Sequence, residues 1–134
     1  MMRRWACWHK LSELPVVTIA KLRGRARGVG SELALACDMR FAARKNAVIG
    51  QIEVGFGATP GAGGVQHLAL LGRGRVLEAI LGADDFGAEV AERYGWINRA
   101  LPGADLDAFV ARSRDALRRS PPRRCGRPSV CSTS

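Results

Sequence analysis

Three glycines, Gly24, Gly28 and Gly30, separate a β-branched run from a run of helix formers, and this spacing limits the possible folds more than any other feature of the chain. Pro15 to Lys21 (PVVTIAK) alternates weakly and reads as a buried strand. Arg23 to Gly30 (RGRARGVG) reads as a turn, because glycine tolerates the backbone angles that a sharp reversal needs. Glu32 to Cys37 (ELALAC) is expected to be helical, with Ser31 as its N-cap and the acid in the first turn, where the helix dipole favours negative charge. Strand, glycine turn and helix in succession imply an α/β layer.

The same alternation continues. Met39 to Ala43 and Ala47 to Gly50 read as short strands around the polar turn Arg44, Lys45, Asn46, and Gln51 to Gly57 as an irregular connection. Thr59 to Gly64 (TPGAGG) precedes an apolar run, Val65 to Leu71, with Pro60 placed in the first turn of the expected helix; the N–H groups of that helix start are free to face a ligand. Helices are expected over Arg75 to Leu81 and Ala88 to Tyr94, separated by Gly82 to Gly87, with a short strand over Trp96 to Arg99. Leu106, Phe109, Val110, Ser113 and Leu117 recur at helical spacing, with Asp107, Arg112, Arg114 and Arg118 on the outer face. From Ser120 onward three prolines and a surplus of arginine predict a disordered tail. There is no internal repeat.

Charge and length narrow the function. The 134 residues allow one domain, which at this size buries about 70% of its unfolded surface. The net charge of +9 is terminal: residues 1–27 and 112–134 each carry +6, and residues 28–111 carry −3. A nucleic-acid surface would instead run along a folded face with aromatic or polar base readers, so solvated ends are the better reading and no nucleic-acid partner is expected. The longest charge-free run, Val54 to Gly72, contains six glycines and a proline and fails as a membrane span. No export pattern follows Arg3 and Arg4, because His9 and Lys10 interrupt the apolar sequence, so a cytoplasmic protein is expected. Cys7, Cys37, Cys125 and Cys131 lack zinc-ligand spacing and read as reduced thiols; no metal is expected.

Two carboxylates, Glu32 and Glu53, each stand beside a glycine-rich turn. Acids brought from such turns to one pocket can divide acid/base work, one donating a proton while the other accepts. Gly28, Val29 and Gly30 add N–H groups at a helix start, where a developing oxyanion can be held. The opposing reading is a helix-start acid and a solvated loop acid, and the residues alone leave both open. The glycines fit neither a dinucleotide fingerprint nor a phosphate loop, and His67 has no Ser or Cys partner at a diagnostic turn.

Leu14 to about Arg119 resembles the enoyl-CoA hydratase/isomerase (crotonase) family, through PVVTIAKLRGRARGVGSELALACDMRFAA, then GQIEVGFGATPGAGGVQHL, then ADDFGAEVAERYGWINRALP, in the family's order. The resemblance implies a crotonase-like spiral of ββα units, present in part, and a lyase that adds water to a 2-enoyl-CoA thioester. The thioester is substrate and no permanently bound cofactor is implied. By that resemblance Glu32 takes the proton of the attacking water and Glu53 protonates the α-carbon. The N–H of Val29, which follows Gly28 and stands where the family usually has glycine, holds the thioester oxygen. Gly61 matches the glycine whose backbone helps place the water, and Ile52 replaces a frequent proline before the second acid.

The alternatives that the resemblance leaves are an enoyl-CoA isomerase or other acyl-CoA transformation, and an inactive remnant that binds acyl-CoA or homologous subunits. A family domain is roughly twice as long, so the chain is expected to begin midway through the fold and to be truncated: residues 1–13 a poorly ordered extension, 14–119 a partial domain, and 120–134 a basic tail. Homo-oligomers are typical of the family. Loss of one oxyanion donor lowers rate on the order of a hundredfold, and the strand over Pro15 to Lys21 is expected to present an unpaired edge.

Overall fold

The computed structural model describes residues 8–119. Two three-stranded sheets form, each from short strands. The first contains β1 (Ile19–Leu22), β3 (Met39–Ala43) and β6 (Arg99–Leu101), all parallel, in the order β1-β3-β6. The second contains β2 (Arg25–Arg27), β4 (Val48–Gly50) and β5 (Asp85–Gly87), in the order β2-β4-β5, with β4 parallel to β2 and antiparallel to β5. Strands β1 to β4 thus alternate between the sheets, β5 stays beside β4 and β6 returns to the first sheet; β1 lies at an edge as expected, although it begins at Ile19 rather than Pro15.

Among the described residues, besides the helical stretch 8–12, five helices connect and cover the strands: α1 (Val29–Ala36), α2 (Gly64–Leu68), α3 (Arg73–Gly82), α4 (Ala88–Tyr94) and α5 (Leu106–Arg119). Two 3-10 turns, Glu53–Phe56 and Ala69–Leu71, complete the elements. Residues 8–12, assigned above to a poorly ordered extension, are helical. The expected tail, residues 120–134, and Cys7 lie outside the described residues.

Alanine makes this close layering possible. Of 19 buried apolar residues among those described, 11 are alanine, so backbones approach around a few large side chains. Trp96, Ile49 and Leu68 form the centre of the main cluster with Leu35 and Phe86, and a second cluster joins Phe41, Ala43 and Leu106 beneath α5. Phe41 and Phe109 meet edge to face, with ring centres 5.0 Å apart. The outer face of α5 holds Asp107, Arg112, Arg114 and Arg118, all exposed, as its periodicity predicts.

Several boundaries differ from the sequence reading, each for a local reason. Helix α1 begins at Val29, with Gly28 rather than Ser31 as N-cap, because Gly28 at φ 52° turns the chain and its carbonyl accepts the Glu32 N–H. Ser31 is fully buried inside the first turn. Helix α2 begins at Gly64 and passes into the second 3-10 turn, so Pro60 lies upstream and not in its first turn. The expected strand over Trp96 to Arg99 is displaced to Arg99–Leu101, because Trp96 and Ile97 donate their N–H groups back to Ala91 at the end of α4.

Strands β2 and β5 sit where only turns are expected. Each buries one side chain, Ala26 and Phe86, and both pair with Ile49 of β4. A three-residue strand with one inward residue has no readable period. Across these edges the Arg27 Nε donates to Asp85 Oδ1 at 2.7 Å, and the guanidinium holds the Asp85 carboxyl below the usual carboxylate range.

Candidate active site

Helix α1 brings Glu32 into the interior one turn after Gly28, where the residue is only 1% exposed. Its Oε1 accepts two backbone hydrogen bonds, from Ala62 N–H at 2.9 Å and from Gly64 N–H at 3.0 Å. The N–H groups expected to face a ligand before α2 are not free: those of Ala62 and Gly64 are taken by this carboxylate. A Cβ at Gly64 would lie 2.9 Å from Glu32 Oε1, closer than a side-chain carbon can approach. The glycine turn and the buried acid therefore fit only each other. Gly61 is exposed in the same turn.

Glu53 begins the first 3-10 turn and is half-buried. Its Oε1 accepts a hydrogen bond from Gln51 Nε2 at 3.0 Å and lies 2.9 Å from the Cβ position of Gly28. Its Oε2 is buried and has no partner among the described residues. The carboxylate thus rests on the Gly28-Val29 turn, whose strand-side end is fixed by the Gly28 N–H bond to Gly50 O at 2.9 Å. Val29 is the first residue of α1, so its N–H has no acceptor within the helix, and its side chain is 41% exposed.

The sequence candidates Glu32, Glu53, Gly28 and Val29 are therefore adjacent along one path: the Gly28-Val29 turn carries Glu53 on its surface and leads into Glu32. Gln51 was not singled out from the sequence, yet it is fully buried between the two acids. Its Nε2 is 3.2 Å from the same Gly64 Cβ position that Glu32 Oε1 approaches. No local pattern marks it, because β4 ends at Gly50 and the chain turns at Ile52 (φ −91°, ψ 0°) into the 3-10 turn that begins at Glu53.

Charged neighbours act from the far end of α1. Arg40 donates to Trp96 O at 2.8 Å and Cys37 O at 2.6 Å, which ties the C-terminal end of the helix to the chain entering β6. Burial lowers the Arg40 guanidinium and raises the Cys37 thiol from their ordinary values. His67 is held below the usual imidazole range by burial first and by Arg40 second, while Glu32 pulls in the other direction. Among the described residues no three His, Cys, Asp or Glu side chains converge closely enough to hold a metal ion. No described helix is long and apolar enough to cross a membrane.

Two three-stranded sheets of short strands, with helices connecting them and much alanine in the core, define a protein of the crotonase fold class. A solved structure from Streptomyces avermitilis, described as an enoyl-CoA hydratase, superposes with a TM-score of 0.89 at 61% identity, over 91% of this chain and 44% of that one. The chain belongs to the enoyl-CoA hydratase/isomerase family, whose model matches residues 3–124. It is 45% identical over 95 residues to a crotonyl-CoA hydratase of Syntrophomonas wolfei, covering 70% of this chain and 35% of that protein. It is 43% identical over 98 residues to a short-chain-enoyl-CoA hydratase of Clostridium acetobutylicum, covering 72% and 36%. The chain spans well under half the length of these curated relatives.

Proposed function

We propose that the chain carries the acid/base part of a 2-enoyl-CoA hydratase site. Glu32 takes a proton from the water that attacks the β-carbon, and Glu53 supplies a proton to the α-carbon. The elements of water are thereby added and the double bond is lost. The Val29 N–H holds the thioester oxygen while the enolate exists, Gly28 provides the turn that presents it, and Gly61 stands in the turn that positions the water. Coenzyme A enters as part of the substrate and no permanent cofactor takes part. The observation that carries this reading is the seating of Glu53 on the Gly28-Val29 turn, one helical turn from the buried Glu32.

The test is hydration of crotonyl-CoA by the wild-type chain, Glu32→Gln and Glu53→Gln, followed by loss of the conjugated enoyl absorbance. Each substitution should lower turnover by about a hundredfold or more while thioester binding is preserved. Turnover that survived both substitutions would contradict the assignment. Analysis of the product, hydroxyacyl thioester against shifted double bond, separates hydration from isomerisation.

A second reading, subunit association without turnover, draws on exposed apolar surface. Phe56 is 80% exposed and Leu81 64%, on a groove of about 1080 Å³ that also includes Ile52 and Leu77. Homo-oligomerisation through such a surface, in the cytoplasm, is part of the proposal. Sedimentation with and without acyl-CoA tests it.

A further inference from the structure

The isopropyl group of Val29 is the one side chain on the Gly28-Val29-Gly30 turn. Its neighbours are glycines set against protein: at position 28 a Cβ would meet Glu53 Oε1 at 2.9 Å, and at position 30 it would face the Ala26 Cβ at 3.9 Å. Val29 is instead 41% exposed, so its methyl groups are not taken up by the core. Covalent geometry fixes where they stand relative to a ligand. Val29 is the first residue of α1, and at helical backbone angles the N–H and the Cα–Cβ bond both lean toward the N-terminal end of the helix. An oxygen that accepts this N–H at about 2.9 Å therefore lies about 3.5 Å from the Cβ of the same residue, in van der Waals contact. Valine is branched at Cβ and holds nearly one rotamer in a helix, so the methyl groups do not swing aside.

We infer that Val29 selects the acyl group: its side chain is a fixed wall beside the thioester oxygen, and the site takes thioesters that are unbranched at the α-carbon. The α-carbon is bonded to the carbonyl carbon, so a methyl branch there widens the acyl group close to the oxygen that Val29 holds. Glu53 stands on the Gly28 side of the same turn and sets where the α-carbon lies for protonation, so retreat from the wall costs alignment as well as contact. One methyl group too many against a stiff apolar wall is worth about tenfold or more in discrimination. This inference names the substrate class of the site proposed above and rests on that reading.

The experiment uses isomeric saturated thioesters, which bind without turnover. Calorimetric titration of the full chain should show butanoyl-CoA bound at least about tenfold more tightly than isobutanoyl-CoA, its isomer branched at the α-carbon. Val29→Ala should bring the two within about threefold, chiefly through tighter binding of isobutanoyl-CoA. Val29→Thr keeps the branched shape and should keep the wild-type ratio. Equal binding of the two isomers by the wild type, or a ratio unchanged in Val29→Ala, would overturn the inference and leave the hydratase reading standing. Loss of selectivity in Val29→Thr would overturn it as well, because polarity and not width would then be what the site measures. Kinetics give a second readout: the ratio of kcat/KM for crotonyl-CoA to that for its α-methyl derivative should fall about tenfold in Val29→Ala, and a constant ratio would count against the wall. A wild-type chain that binds neither saturated isomer refutes the thioester site itself, and this inference with it.

Discussion

The Glu53 carboxylate occupies the space that a side chain at Gly28 would need, with Oε1 2.9 Å from the Cβ position. The two residues are 25 positions apart and come from different elements: Gly28 caps α1, and Glu53 starts the 3-10 turn after β4. Their approach follows from the pairing of β2 with β4, in which Arg27 stands beside Gly50. The turn after one strand and the acid after the other are thereby brought together.

Gly28→Ala should be costly in two ways. The backbone at φ 52°, ψ −118° is one that side chains avoid, at about 1–3 kcal/mol, and the new methyl group displaces Glu53. Gly57→Ala is the control: it also has positive φ, 71°, but nothing lies within 4 Å of its Cβ position. It should lose about 1 kcal/mol of stability with turnover unchanged. Urea unfolding combined with crotonyl-CoA kinetics separates strain from displacement.

Glu32 has a structural duty apart from any chemistry. Glu32→Ala leaves the Ala62 and Gly64 N–H groups without their acceptor, at a cost of about 2–4 kcal/mol in the urea-unfolding free energy. Glu32→Gln keeps a carbonyl acceptor and should remain within about 1 kcal/mol of wild type. An equal loss in both variants would show that charge, not the acceptor, holds the glycine turn.

Arg40→Met should cost about 1–3 kcal/mol, because Trp96 O and Cys37 O lose their donor and water replaces it only in part. Lysine cannot span both carbonyls with a rigid fork, so Arg40→Lys should rescue less than half of the loss. Denaturant midpoints at fixed pH measure both.

Ala83 has φ 52° after the end of α3, and it is the one non-glycine residue with positive φ among those described. Ala83→Gly relieves that strain and should raise stability by about 0.5–1 kcal/mol, the relief exceeding the added freedom of the unfolded chain. A lower melting temperature would contradict it.

Stability should fall on mild acidification. His67 is held below its ordinary value of 6.5, first by burial and then by Arg40, so the unfolded chain binds the proton more readily than the folded one. The stabilising difference is therefore complete above about pH 7 and is lost as pH drops through the unfolded value. His67→Gln should flatten this part of the curve, measured as urea midpoints between pH 7.5 and 5.5.

Elements with their own period were legible. Met39–Ala43, Ala88–Tyr94 and α5 stand where the sequence puts them, the strand as a short apolar run buried at Phe41, Ala42 and Ala43 and the helices through one repeating inward face. Strands β2 and β5 were not, because each contributes a single buried residue to a pairing that exists only after β4 is in place. The role of Ser31 was misread for a related reason: its cap position is taken by Gly28, whose turn is set by contact with Gly50 and Glu53.

The sequence by itself determined the α/β alternation, the family and the two acids beside glycine turns, since these depend on residue types at short spacing. The tertiary structure decided which turn serves which acid: Glu53 leans on the turn before α1, and Glu32 is held by the turn before α2. That crossed pairing, with Gln51 buried between, comes from strand register and from backbone N–H groups meeting the Glu32 carboxylate from 30 and 32 residues away in sequence, and no local pattern records such contacts.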